Sequence, residues 1–256
     1  MKQHWFIGYD EREREAFDVA RYSLMRHASC EVIVKPLKHR QLRRANLFWR
    51  EWRMDATGQW WDDQDGKPFS TEFAFTRFLT VTLAREAGLH GWAFFCDCDF
   101  LFCDDVAKLE PLLDPSYAVM CVKHRFRPRR KLKMDGQIQA RYPRKAWSSL
   151  MAFNIDHRAN VCLTAECVNM QPGSWLHGFE WLPFDLIGEL PERWHRLVGH
   201  FSGEFSALHY TDGGPWLDGW RGGPMDNVWI AEQTLLCNAI AVKPRGLVEL
   251  ANDNVD

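Results

Sequence analysis

Two aspartates one residue apart, Asp97 and Asp99, close the apolar run Trp92-Ala93-Phe94-Phe95-Cys96. A run this apolar reads as a strand buried on both faces. In an extended segment residues i and i+2 point the same way, so both carboxylates can reach one cation. The carboxyl end of a strand is also where open α/β sheets bind ligands. Hard cations such as Mg²⁺ and Mn²⁺ take oxygen ligands and keep positions open for phosphate oxygens, and an imidazole as third ligand favours Mn²⁺. A capped turn after the strand is the other reading of the pair. Against it, two charges at the end of so apolar a strand need a partner or water.

The elements around this pair follow from hydrophobic period. Residues 4–9 read as a buried first strand ending at Asp10. Residues 11–27 carry Ala16, Phe17, Ala20 and Leu24 at helical spacing, and residues 31–37 are β-branched. Strand–helix–strand predicts a mainly parallel sheet flanked by helices, an α/β fold. Residues 55–69 are rich in Gly and Asp and read as a mobile loop. A helix is expected from Ser70-Thr71-Glu72 to a stop at Gly88. Residues 117–122 and 149–154 are further strands, 158–169 a helix, 207–210 a short strand before the Gly-rich turn 211–216, and 226–240 a helix. The tail 251–256 is polar and expected to fray.

The chain has 256 residues, 46% of them apolar and 26% charged. This fits one α/β domain, assigned to 1–250. The net charge of −2 gives no global pull toward nucleic acid or membrane. Residues Met1 to Asp10 hold no long apolar stretch, and no window reaches the roughly 18 apolar residues of a membrane span. A cytoplasmic protein without a membrane anchor is expected. The eight Cys form no paired C-x-x-C pattern, which suggests reduced, mostly buried thiols. Thirteen Trp supply core packing and also faces on which sugar or base rings can stack.

Asp97-Cys98-Asp99 after its apolar strand resembles the D-x-D motif of glycosyltransferases with the GT-A fold. Phe6-Ile7-Gly8-Tyr9-Asp10 is similar to the first strand of that fold, whose end holds the nucleotide base. Arg77 matches an arginine those enzymes carry near the donor. Ser148-Ser149-Leu150-Met151-Ala152-Phe153-Asn154 is similar to the strand lining the sugar pocket. His209-Tyr210-Thr211-Asp212-Gly213-Gly214-Pro215-Trp216 resembles the histidine motif of the family-8, glycogenin-like enzymes. The stretches Tyr142 to Ser149 and His209 to Trp216 also resemble a group of phage and bacterial glycosyltransferase-like proteins.

The resemblance covers roughly residues 4–216. It implies transfer of a sugar, with retention, from a nucleotide-diphosphate sugar, UDP being the expected nucleotide, with Mn²⁺ or Mg²⁺ as cofactor. Asp97, Asp99 and His209 are then the metal ligands. Asp97, Asp99, Asn154, Glu180 and Asp185 are the catalytic candidates. Tyr9, Asp10, Arg77, Lys145, Ser149, Gly213, Gly214 and Trp216 are the donor-binding candidates. One position departs from the pattern: family 8 carries a diphosphate-binding Lys before Pro-Trp, where this chain has Gly214. Arg144, Lys145 or the N–H groups of the 213–214 turn are the replacements. Asp10 can instead cap the helix beginning at Glu11. His177, Trp175 and Trp181 lie in an aromatic stretch where an acceptor is expected to approach.

Residues 123–145 hold ten Lys and Arg against a single acidic residue, Asp135. A solvated loop, a lid over the diphosphate, or a surface for a polyanionic acceptor such as DNA all fit this charge. A nucleic-acid-binding module and a D-x-D phosphoryl-transfer hydrolase are the competing functions. The hydrolases usually place the motif after the first strand, which argues against the second. The acceptor and the oligomeric state are not specified by the sequence.

Overall fold

The computed structural model describes residues 2–125, 138, 144–200 and 202–242. Most of the basic segment, Tyr142 and Pro143 included, and the tail lie outside the described residues.

In chain order the elements are β1 (Lys2–Gly8), α1 (Arg14–His27), β2 (Glu31–Leu37), α2 (His39–Arg44), β3 (Trp52–Met54), β4 (Trp60–Asp62), β5 (Pro68–Phe69), α3 (Thr80–Glu86), β6 (Trp92–Cys96) and β7 (Phe100–Phe102). Then follow β8 (Val119–Cys121), β9 (Leu150–Asn154), α4 (Ala165–Met170), α5 (Gly173–His177), β10 (Ile187–Glu189), β11 (Arg196–Leu197), β12 (Ala207–His209) and α6 (Asp226–Val242). A six-stranded sheet in the order β10-β8-β9-β6-β1-β2 forms the centre. β1 is parallel to β2 and β6, and β10 to β8, while β9 runs antiparallel to β6 and β8. The mainly parallel α/β expectation holds.

Hydrophobic burial sets this order. β6 and β9 are apolar and buried along nearly their whole length, so they take central places. β2 alternates exposed and half-buried positions, with only Leu37 buried, and takes the edge. Trp5 of β1 stacks on Phe94 of β6 with ring centroids 4.5 Å apart. Each fully buried Phe or Leu contributes roughly 1.5–3 kcal/mol. At the end of β1, Gly8 is required by close approach, because any Cβ there would overlap the Phe73 ring.

Three expectations are corrected. Residues 55–69 do not form a mobile loop: β3, β4 and β5 make a three-stranded antiparallel sheet. The Asp55 carboxylate accepts from Thr57 N, Gln59 N and Trp61 Nε1, building the first turn. Trp52, Trp60 and Phe69 pack across the strands with centroids 5.3–6.4 Å apart. The helix expected from residue 70 begins instead as a 3-10 turn at Thr76–Leu79 and becomes α3. The helix expected over 158–169 divides into a 3-10 turn, Arg158–Cys162, and α4, because Thr164 caps α4 through Cys167 N.

All eight cysteines are free thiols, but only Cys96, Cys98 and Cys121 are buried, fewer than expected. Among the described residues no helix is long and apolar enough to cross a membrane.

Candidate functional site

Register builds the centre of the site. β6 ends at Cys96, and Asp97 N donates to Ser149 O at 2.9 Å, which ties the turn to the start of β9. β12 lies antiparallel to β7 with His209 opposite Phe100, and Tyr210 N donates to Asp99 O at 3.0 Å. His209 therefore arrives beside a pair more than a hundred residues earlier in the chain. Its Nε2 is 3.1 Å from Asp99 Oδ1 and 3.8 Å from Asp97 Oδ2. The ligand atoms of all three buried residues lie within 4.8 Å of one another. Two carboxylates and an imidazole so close suit a hard divalent cation with open positions, Mn²⁺ or Mg²⁺.

Arg77 reaches the same pair. Its Nη1 is 2.8 Å from Asp97 Oδ1 and donates to Ser148 O at 2.8 Å, while Nε donates to Ala74 O at 3.2 Å. The guanidinium lies between the rings of Phe73 and Phe95.

A cavity opens over these groups. Asp97, Asp99, Arg77 and Ser149 form its floor, Lys145, Thr211 and His177 line it, and residues 65–71 around β5 supply a wall that includes Asp65 and Lys67. Lys145 sits between Arg144 and Ala146, whose φ values of 61° and 69° are left-handed. Such backbone costs about 1–3 kcal/mol per residue and clusters at functional sites. His177 is buried, with Nδ1 2.8 Å from Ser148 Oγ. Burial first, then Arg77, Lys145 and Arg50, holds its pKa well below the usual histidine value. His177 is therefore neutral, and the charged groups lining the cavity are Arg77, Lys145 and Lys67 together with the carboxylates of Asp65, Asp97 and Asp99.

Asp10 and Tyr9 stand at the end of β1, beside Asp97 through the register Ile7↔Cys96. Asp10 caps the 3-10 turn Glu11–Glu13, and its oxygens accept from Arg12 N, Nε and Nη2 and from Glu72 N at 2.7–3.1 Å. Tyr9 donates its OH to Glu11 at 2.8 Å. Burial, then the charge of Asp10, raises Glu72 to about 7. Its neighbour His39, 3.7 Å away, is lowered to about 4 by burial and by Arg43 and Arg40.

This gives a pH prediction. Below about pH 4.3 Glu72 is protonated in both the folded and unfolded chain, so pH has no leverage through it. Above that value the unfolded chain ionises while the folded chain holds its proton up to about 7, so stability falls as pH rises through this window. Glu72→Gln is expected to melt like wild type near pH 4 and several degrees above it near pH 8. Equal melting temperatures at both ends of the range would remove half-buried Glu72 as a source of strain.

Several expected residues stand elsewhere. Asn154 is not at the site. β9 runs antiparallel to β6, so Ser149 and Leu150 meet the aspartates, whereas Asn154 pairs with Trp92 at the far end, about 13 Å along the strand. Asn154 Nδ2 instead donates to Pro115 O and Tyr117 O. Glu180 and Asp185 are exposed and are not among the residues lining the cavity. Gly213 spends its N–H on Tyr210 O at 2.8 Å. Trp216 packs on Tyr210 and Trp229, away from the cavity lining. Gly214 lies against the Trp216 ring, which a Cβ there would overlap unless the ring moved. Trp181 donates to Asn160 Oδ1 and stacks on Phe179, and Trp175 packs beside it, so both serve the core.

Sequence reasoning missed His195 and the Ser148–His177 pair. His195 is fully buried, its Nε2 2.7 Å from His209 Nδ1. Burial, then His124 and His209, holds it well below the usual histidine value. Its only sequence signal is an imidazole inside the charged stretch Glu192-Arg193-Trp194-His195-Arg196, which reads as surface.

No family model matches the sequence. Protein CDI of Arabidopsis thaliana is 40% identical over 234 residues, which cover 89% of this chain and 84% of that protein. Among solved structures, the glycosyltransferase GlyE of Streptococcus pneumoniae TIGR4 is similar at 12% identity with a TM-score of 0.56, over 93% of this chain and 63% of that one. An active-site mutant of LgtC is similar at 10% identity with a TM-score of 0.53, over 95% of this chain and 98% of that one. The chain thus spans less than two thirds of GlyE and nearly all of LgtC. At such identities the likeness is one of fold, and the fold is that of GT-A glycosyltransferases.

Proposed function

This chain belongs to the family of Protein CDI and has a GT-A fold, and from that premise we propose that it is a metal-dependent glycosyltransferase using a nucleotide-diphosphate sugar. The observation that carries this reading is the buried Asp97–Asp99–His209 cluster, whose two aspartates line a cavity shared with Arg77 and Lys145. UDP as the nucleotide, Mn²⁺ or Mg²⁺ as the ion, and retention of configuration follow from the resemblance to family 8. One catalytic domain over 1–250 and a cytoplasmic location belong to the same proposal.

Asp97, Asp99 and His209 would hold the ion, which supplies charge neutralisation to the diphosphate leaving group. Arg77 orients Asp97 through its 2.8 Å contact and adds positive charge at the floor. Lys145 places an ammonium on the wall, where the missing Lys at 214 leaves the diphosphate to be met. Tyr9 and Asp10 shape the base end, Asp10 by fixing the turn after β1. LgtC was solved with donor and acceptor sugar analogues, and a sugar acceptor is the class we propose. These neighbours give DNA no support as an acceptor.

The test is thermal shift with a panel of UDP- and GDP-sugars, with and without Mn²⁺, on wild type and Asp99→Ala. A donor at about 100 times its Kd should stabilise wild type by about 2.7 kcal/mol, only with Mn²⁺ and not in Asp99→Ala. A folded wild type that no donor stabilises would sink the reading.

A further inference from the structure

We propose that His195 is a positioning residue: it accepts a hydrogen bond from His209 Nδ1 and so holds His209 in the tautomer whose Nε2 lone pair faces Asp97 and Asp99. The inference rests on the metal reading above and extends it to a residue that touches neither ion nor donor.

A neutral imidazole has one N–H and one lone pair. For His209 Nε2 to bind a cation, the ring proton must sit on Nδ1. His209 is fully buried, so that N–H needs an acceptor, and leaving it unmade costs about 1–3 kcal/mol. The group within reach is His195 Nε2, at 2.7 Å. In this polarity the His195 proton sits on Nδ1, which is buried with no hydrogen-bond partner among the described residues. The opposite polarity, with His195 donating, would put the proton on His209 Nε2 and close it as a ligand.

The rest of the fold holds the acceptor in place. His195 ends the 3-10 turn Glu192–His195 and runs directly into β11, which pairs with β12 in the register Leu197↔His209. Ser206 N donates to Arg193 O at 2.7 Å, closing the two segments on each other. The His195 ring packs against Phe100 at 4.9 Å and against His124 at 4.6 Å, the latter edge-on. Phe100 also stacks on His209 at 4.6 Å and 13°, so one aromatic ring orients both imidazoles. Partners of this kind fix the orientation of metal-binding histidines, and their loss typically weakens metal binding 10–100-fold.

The experiment measures Mn²⁺ affinity by calorimetry on the full chain without donor, for wild type, His195→Phe and His195→Gln. The Gln amide oxygen can accept from His209 Nδ1, whereas Phe fills the space without an acceptor. His195→Phe is expected to bind Mn²⁺ about 10–100-fold more weakly, and His195→Gln within a fewfold of wild type. Equal affinity in all three would overturn the role of His195 while leaving the metal site intact. Equal loss in both variants would make His195 a packing residue and also overturn it. A wild type that binds no Mn²⁺ would instead sink the metal reading, and this inference with it. Should His195→Phe not fold, nitrogen NMR of histidine-labelled, Mg²⁺-loaded wild type decides. A proton on His209 Nδ1 and none on Nε2 supports the assignment, and the reverse overturns it.

Discussion

Arg77→Met is expected to destabilise the metal-free chain by about 3–5 kcal/mol, the usual cost of removing one partner of a buried ion pair. For a domain of this size that lowers the melting temperature by roughly 10 °C. Methionine keeps an unbranched stem but loses the guanidinium contacts with the Phe73 and Phe95 rings. It loses the 2.8 Å contact with Asp97 and the hydrogen bonds to Ser148 O and Ala74 O, all in a buried setting. Mn²⁺ should restore part of this loss, because an ion at Asp97 replaces the missing positive charge. The comparison is a thermal melt of both proteins with and without Mn²⁺. A variant within about 1 kcal/mol of wild type would mean that Asp97 is balanced by other groups.

Arg50→Met should cost a similar amount, about 3–5 kcal/mol, for a different structural reason. Arg50 donates to both oxygens of Asp62 at 2.6–2.7 Å and to the carbonyls of Val168, Asn169 and Gln171 at 2.7–3.2 Å. It thereby ties β3 and β4 to the C-terminal end of α4, where a cation also complements the helix dipole. Asn169 completes the clamp, its Oδ1 accepting from Trp49 N and Arg50 N at 2.7 Å. Because β5 forms one wall of the cavity, hydrogen exchange in residues 52–69 should rise in the variant more than in β6 or β9. Denaturant unfolding measures the cost. Pairing Arg50→Met with Asp62→Leu should recover most of it, since no buried charge is then stranded. A double variant as unstable as Arg50→Met would place the energy in the carbonyl contacts instead.

Both arginines show what local sequence could not supply. Arg77 lies twenty residues from Asp97, and only the resemblance to GT-A enzymes connected them. Arg50 carried no signal, because its partners come from β4 and from the end of α4. Residues 55–69, which hold β4 and β5, read as a loop because Gly58, Gly66 and four Asp dominate their composition. The stability of the short sheet comes from Trp and Phe rings packing across strands, which a linear reading of turn residues does not register. That Asn154 lies away from the aspartates is not legible in the sequence, because hydrophobic period reveals a strand but not its direction. Reversal of β9 relative to β6 moved the polar end of that strand away from the aspartates and brought Ser149 to them.

What the residues determined by themselves was the local chemistry: an apolar strand ending in two carboxylates that share a side, a strand–helix–strand opening, and Asp10 as a cap. These depend on neighbours one to four positions apart, where period and capping rules act. The resemblance pointed to His209, but only the tertiary structure brought it to the aspartates, placed His195 behind it and set half-buried Glu72 beside Asp10. The physical reason is that strand pairing and burial across a hundred residues set those distances, and neither leaves a mark on the residues adjacent in the chain.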